Sequence, residues 1–270
     1  MKPAEGGGGL LSSWNWPKKI AAGTLFLLGA GMISFAAYYL IAPRIADLRI
    51  HRELASIKNI DQAALISKPL SLTSISPIPF GDKLNFASVD WKALPDSTNE
   101  LGQRIVIPAI QLDEEVVELD TYTKDGNLNY ETPKFAVGHL FDRDNIGSNR
   151  DVFLWGHIES PWIHEGKPFK RLSEVADYLK AGQAVDVFVY TSKYVYNYRV
   201  VDAYTSTPEN VGLGKNSGEP TLKLVSSWPP KGYWDRFVAV TKLIQVAPLT
   251  DQEAKNLKSE PSDFKPNGLS

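Results

Sequence analysis

The stretch that most limits what this chain can become runs from Thr221 to Leu243. Two β-prone runs, residues 221–227 and 236–243, flank the eight residues 228–235, which contain Pro229, Pro230 and Gly232. Such punctuation stops a ladder and predicts two antiparallel strands joined by a long, partly rigid loop. If Ser227 ends the first strand and Arg236 begins the second, the two face each other across the mouth of the loop. The same register sets Val225 against Val238 and Leu224 against Ala239, apolar against apolar. A small hydroxyl beside a permanent cation, under a loop carrying Trp228 and Trp234, points to chemistry as much as to packing.

Composition narrows the setting. With 270 residues, 43% of them hydrophobic, the chain suits one sizeable domain plus appendages. A net charge of −2 offers no electrostatic footprint for nucleic acid. There is no cysteine, hence no disulfide, no thiolate metal site and no thiol nucleophile.

Residues 1–19 read as a disordered cytoplasmic tail with four consecutive glycines, Gly6 to Gly9. Trp14 and Trp16 with Lys18 and Lys19 suit a membrane interface. Residues 20–42 carry no charge and, as a helix, span about 34 Å, enough for the hydrocarbon core. The stretch closes on Tyr38, Tyr39, Leu40 and Ile41 rather than a small-x-small cleavage site, which favours an uncleaved transmembrane helix over a signal peptide. Lys2, Lys18 and Lys19 precede it while Arg44, Arg49 and Arg52 follow, so flanking charge alone does not set the orientation.

Residues 43–100 read as stalk and linker. Ile45, Leu48, Leu54, Ile57 and Leu65 form a rough helical stripe, compatible with a continued helix or a solvated spacer. Pro69, Pro77, Pro79 and Pro95 then mark extended chain, and Leu94 to Thr98 belongs to it. A globular domain is expected over residues 101–247. Short strands are predicted at 104–108, 112–119, 152–155, 184–190, 194–204, 221–226 and 237–243, with one helix at 170–180 and a tight turn at Asp125-Gly126. Many short strands and little helix give a mainly β fold, a closed barrel or a sandwich. Residues 248–270 are expected to be a disordered tail.

Four histidines are available for chemistry: His51, His139, His157 and His164. His157 follows an apolar run, Asp151 to Trp155, in a Gly156-His157 pair. His139 follows Gly138 after a shorter run, and His164 sits in a polar loop.

The phrase Leu224-Val225-Ser226-Ser227, the Pro-containing loop and the Asp235-Arg236 pair together resemble the active-site hairpin of the sortases, membrane-anchored cysteine transpeptidases whose strand there reads Leu-x-Thr-Cys. The Gly156-His157 pair and the opening Arg104-Ile105-Val106-Ile107-Pro108 are similar to phrases of the same family, and the likeness runs over residues 101–247. It implies an eight-stranded β-barrel with short helices behind one transmembrane helix, held outside the cytoplasmic membrane. It implies catalytic positions at His157, Ser227 and Arg236, with Trp228, Tyr233, Trp234 and His139 lining the substrate. Its partners would be a sorting-signal peptide of surface proteins or pilins and an amine acceptor. Glu209 and Glu219 alone do not make a calcium site, and no metal or other cofactor is expected.

Ser227 stands where that family has its nucleophilic cysteine. A thiol, with an ordinary pKa near 8.5, ionises beside a cation; a hydroxyl needs an oriented base, commonly a histidine held by a carboxylate. Neither Asp151 nor Asp235 is placed on His157 by sequence alone. Three readings stay open: a weakened or serine-dependent transpeptidase or hydrolase, a non-catalytic binding or scaffold protein (a pseudoenzyme), and an engineered cysteine-to-serine variant of an active enzyme. Metal-dependent hydrolysis and a nucleophile elbow lack their motifs.

Overall fold

The computed structural model describes residues 16–69, 86–88, 101–124, 127–140, 145–158, 166–213 and 216–259. The chain forms two compact units, residues 1–45 and 46–270.

The first unit carries the apolar part of α1 (Trp16–Ile57). Leu25, Phe26, Leu27, Met32 and Ile33 are all more than two-thirds exposed. An isolated helix leaves such side chains outward only where its surroundings are themselves apolar. This helix is long and apolar enough to cross a membrane, consistent with a single-pass anchor.

Among the described residues the second unit has eleven strands: β1 (Ala87–Ser88), β2 (Arg104–Ile107), β3 (Leu112–Glu118), β4 (Asp120–Lys124), β5 (Asn127–Glu131), β6 (Val137–His139), β7 (Asp151–Trp155), β8 (Asp186–Tyr190), β9 (Tyr194–Ser206), β10 (Thr221–Trp228) and β11 (Asp235–Pro248). Eight of them run in the order β11-β10-β7-β6-β3-β2-β8-β9, and β9 pairs back onto β11, closing a barrel. Closure leaves none of the eight with an open edge. β1 adds to β11, and β4 with β5 forms a separate hairpin around residues 125–126, which lie outside the described residues.

Alternation along the strands divides them into two faces. Ile105, Ile107, Val152, Leu154, Val187, Val189, Leu222, Leu224, Phe237 and Ala239 fill the inner face and are buried in one cluster. Buried charges on the opposite face are paired. Arg104 holds Asp113 through two 2.6 Å hydrogen bonds, and Arg199, fully buried, binds Asp186 at 2.7 Å.

The stretch read as a stalk is part of this core. Ile50, Ile57 and Leu65 are 3%, 4% and 2% exposed and share the inner cluster. Asp61 caps α2 (Gln62–Ile66) by accepting from the Ala63 and Ala64 N–H groups. At its other end Arg199 donates to the carbonyls of Leu65, Ile66 and Lys68. A buried guanidinium with five donors thus satisfies carbonyls that a helix end leaves orphaned. The tail is ordered too at its start: α4 (Asp251–Ser259) buries Leu257 beside Val106, Phe188, Tyr190 and Val195. Of the predicted helix at 170–180, residues 175–180 are α-helical, as α3 (Val175–Lys180), preceded by a 3-10 turn at 172–174.

Candidate active site

The site is assembled by three neighbouring strands. Register pairs Ser227 with Arg236, Val225 with Val238 and Leu224 with Ala239 across β10 and β11. On its other side β10 runs parallel to β7, with Val225 beside Trp155, and the Gly156 N–H donates to the Val225 carbonyl at 3.1 Å. His157 follows two residues past that last pair, beyond the end of β7. Arg236, Ser227 and His157 therefore lie at the same end of three adjacent strands.

Local packing explains the glycine of the Gly156-His157 pair. A Cβ on Gly156 would lie 2.7 Å from the Phe169 ring, and the Phe169 N–H donates to the His157 carbonyl at 2.9 Å. Only a residue without a side chain lets that ring close over the strand end. His157 is half-buried, and its Nε2 donates toward the Thr132 carbonyl, 3.2 Å away. The Arg236 guanidinium folds back on its own loop, donating to the carbonyls of Asp235 (2.9 Å) and Tyr233 (3.4 Å). Among the described residues none forms a salt bridge with Arg236 and none is hydrogen-bonded to the Ser227 hydroxyl.

The flanking candidates divide differently. Trp228 points to the opposite face from Ser227, as the next residue of a strand must. It is 6% exposed, packs on Phe237 with ring centroids 6.0 Å apart, and its indole N–H donates to Asp47 at 3.2 Å. The expectation that Trp228 lines a groove beside Ser227 gives way to a core role. Tyr233, in left-handed backbone at φ 60°, packs against the same inner cluster. Trp234 is 46% exposed and is the aromatic of this loop that faces solvent. His139 is fully buried, pairs in register with Leu154, and accepts from the Gly102 N–H through Nδ1 at 3.4 Å. It therefore faces the barrel interior rather than a substrate. His164 lies outside the described residues.

The outer face next to Ser227 is already occupied. Phe153, Trp155, Val225 and Val238 are each at most 4% exposed, and they pack with Leu119, Leu140 and Val211. Val211 comes from the β9–β10 connection, and the Tyr204 hydroxyl donates to its carbonyl at 3.2 Å. Farther along β10 the same face opens into a polar cavity of about 470 Å³, lined among others by Asp151, Asp202, Tyr204, Ser217 and Lys223. There Lys223 binds Asp151 at 2.6 Å, and the Ser217 hydroxyl donates to the same carboxylate at 2.6 Å. Burial pushes the Asp151 carboxyl up, but these hydrogen bonds and the Lys223 charge outweigh it and hold it below the usual range. Asp151 is thus committed to Lys223, at the far end of β7 from His157. Among the described residues no three His, Asp or Glu side chains converge as metal ligands.

Sequence reasoning missed Asp47, Thr132, Phe169 and Val211, each of which touches the site from a distant part of the chain. Only Asp47 had a visible signal, the helical spacing Asp47, Ile50, Leu54, Ile57.

Residues 105–244, more than half of the chain, match the family profile of the Sortase domain. No curated protein matches the chain. Among solved structures, Listeria monocytogenes sortase A aligns at 17% identity with a TM-score of 0.43, covering 60% of this chain and 99% of the other. Sortase C1 of Streptococcus agalactiae aligns at 16% and 0.41, covering 72% and 97%. Sortase E of Streptomyces avermitilis aligns at 18% and 0.38, covering 56% and 91%.

Proposed function

The chain belongs to the sortase family, and from that premise we propose that it is a membrane-anchored envelope protein that recognises sorting-signal peptides at the barrel end that holds Arg236, Ser227 and His157, and transfers them weakly or not at all. The single observation that carries this reading is the pairing of Ser227 with Arg236 in a chain without cysteine. In the family reaction a thiolate attacks the peptide carbonyl, the leaving amine takes a proton, and an incoming amine later displaces the sulfur. Arg236 is suited to the charge that develops on the carbonyl oxygen: no carboxylate among the described residues forms a salt bridge with it, although Glu209 lies near enough to feel its charge.

The difficulty sits on Ser227. Its proton must leave during attack, and the base must be positioned to take it. His157 points its Nε2 at the Thr132 carbonyl, an arrangement that uses that nitrogen as a donor. A cation formed on His157 would also stand at the same barrel end as Arg236, which works against it. The domain is proposed to lie outside the cytoplasmic membrane, where sorting signals and amine acceptors of the cell envelope meet it.

One observation favours a second reading, a non-catalytic scaffold. The apolar face beside Ser227 is covered by Val211 and filled by Phe153 and Trp155, so an extended peptide lying there must displace the chain's own side chains.

The deciding experiment compares wild type, Ser227→Cys and Ser227→Ala for binding and cleavage of a panel of sorting-signal peptides with an added amine. Binding without turnover by wild type, and turnover with a trappable thioacyl adduct in Ser227→Cys, is the expected outcome. Turnover by wild type that Ser227→Ala abolishes makes it a serine enzyme. Binding with an inert Ser227→Cys favours the scaffold, and failure of both forms to bind overturns the peptide-recognition reading.

A further inference from the structure

The helical turns of α1 that follow the apolar span belong to the same unit as the barrel, and they reach the strand ends that carry the candidate site. Asp47 accepts the indole N–H of Trp228 at 3.2 Å. One turn on, His51 Nε2 stands 3.5 Å from the same Asp47 oxygen, and its Nδ1 faces the Thr205 hydroxyl at 3.4 Å. Thr205 pairs in register with Phe237, and Phe237 packs on the Trp228 ring. Ile50 and Ile57 on the same helix sink into the cluster that holds Trp228 and Phe237. A single helical segment thus touches the ends of β9, β10 and β11 together.

Trp228 is the last paired residue of β10, and Ser227 precedes it on the opposite face. Beyond Trp228 the chain leaves the ladder for Pro229 and the loop, so a strand end at this position is free to fray unless a side chain holds it. The Trp228 ring holds it, and the ring is aimed by Asp47. A nearly buried indole N–H takes a partner wherever one is offered, and a carboxylate is a strong one. Fixing Trp228 fixes the backbone that sets the direction of the Ser227 side chain and its pairing with Arg236.

We propose that Asp47 is a positioning residue for position 227: the juxtamembrane helix clamps the reactive hairpin through Trp228. This rests on reading position 227 as the nucleophile position, but its test needs no peptide and is independent of whether the face accepts a sorting signal. The consequence is that the segment following the anchor forms part of the site's support, 181 residues away in sequence from the residue it holds.

The test uses the full chain in lipid nanodiscs with Ser227→Cys as a local reporter, a change already required above. Iodoacetamide alkylation of the single thiol is followed against pH, giving both a rate and an apparent thiol pKa. Adding Asp47→Ala should change the rate several-fold or displace the pH profile, while Asp47→Asn, which keeps a neutral acceptor for the indole, should stay close to the parent. Trp228→Phe keeps a ring but removes the donor and should reproduce Asp47→Ala. Combining the two should add little further effect, since both remove one bond. Glu53→Ala, on the same helix and paired with Arg49 instead, controls for helix stability. If Asp47→Ala and Trp228→Phe both alkylate as the parent does across the pH range, the proposal is overturned. If Asp47→Ala does not fold, Trp228→Phe alone decides it by the same criterion. A change in melting temperature with an unaltered alkylation profile also overturns it, because that is what a merely structural contact would give.

Discussion

The two faces of the β10–β11 hairpin are made from the same strands and are buried to nearly the same degree, yet they are held in different ways. The inner face sets Leu222, Leu224, Trp228, Phe237 and Ala239 against residues from outside the family match, Ile50, Ile57 and Leu65. The outer face sets Lys223, Val225, Ser227, Arg236 and Val238 against the barrel's own connection at Val211 and against a buried ion pair. One side is closed by shape, the other by charge and by a loop. The difference teaches that burial alone does not separate support from site. What separates them is whether the covering piece is a helix from outside the family match or the barrel's own connection.

The largest break in this comparison strips the inner face of its cover. A domain beginning at Leu101 keeps the whole family match but loses Ile50, Ile57 and Leu65, and it deprives buried Arg199 of three carbonyl acceptors. Each lost apolar side chain is worth about 1.5–3 kcal/mol, and an unpaired buried cation adds more, against a total stability of about 5–15 kcal/mol. Circular dichroism melts should show no cooperative transition for residues 101–270 and a sharp one for residues 46–270. Equal melting of the two would make the N-terminal segment dispensable.

On the outer face the comparable break is electrostatic. Lys223→Met keeps most of the volume but leaves Asp151, 3% exposed, without its cation; the expected loss is about 3–5 kcal/mol at neutral pH. The pH dependence carries the sign. In wild type the Asp151 pKa is held below its unfolded value of about 3.9, so its contribution is complete above that pH and fades as pH falls through the folded value. Without Lys223 burial dominates, the carboxyl moves up, and acidification should relieve the defect. Urea unfolding from pH 7 to pH 4 should therefore show the gap between wild type and Lys223→Met narrowing. A constant gap would mean that the pair contributes nothing beyond packing.

Much of the outer face was legible from sequence and much of the inner face was not. The register that sets Ser227 opposite Arg236 followed from β-prone runs around two prolines and a glycine, because hairpin pairing is local and apolar residues must meet apolar ones. The mainly β fold and its barrel followed from strand spacing and from the family likeness. The hidden parts depend on contacts between remote segments. Nothing in the helical stripe of residues 45–65 says whether its apolar side meets water, lipid or a barrel end, and the pairing of Asp47 with Trp228 has no local signature. The family likeness sets Trp228 in a substrate-lining loop, yet Trp228 is still the last residue of β10, and neighbours in a strand face opposite ways. The tail after Ala247 reads as disordered from its polarity, while Leu257, buried beside Val106 and Phe188, seats α4.

The finest version of the comparison lies in two adjacent serines. Ser226 is 2% exposed on the inner face between Leu224 and Trp228; Ser227 is half-buried on the outer face opposite Arg236. Ser226→Leu forces two or three extra carbon groups into a filled interior, and overpacking of that kind costs about 1–3 kcal/mol. Ser227→Ala removes a hydroxyl that has no hydrogen-bond partner among the described residues and leaves the shape of the strand intact. Its effect on stability should fall within about 0.5 kcal/mol, the range of an uninvolved surface change. Paired urea titrations of the two variants measure the contrast directly. If Ser227→Ala destabilises as much as Ser226→Leu, the Ser227 hydroxyl is engaged in the fold, and holding it free for chemistry beside Arg236 ceases to be the reason for its place in the strand.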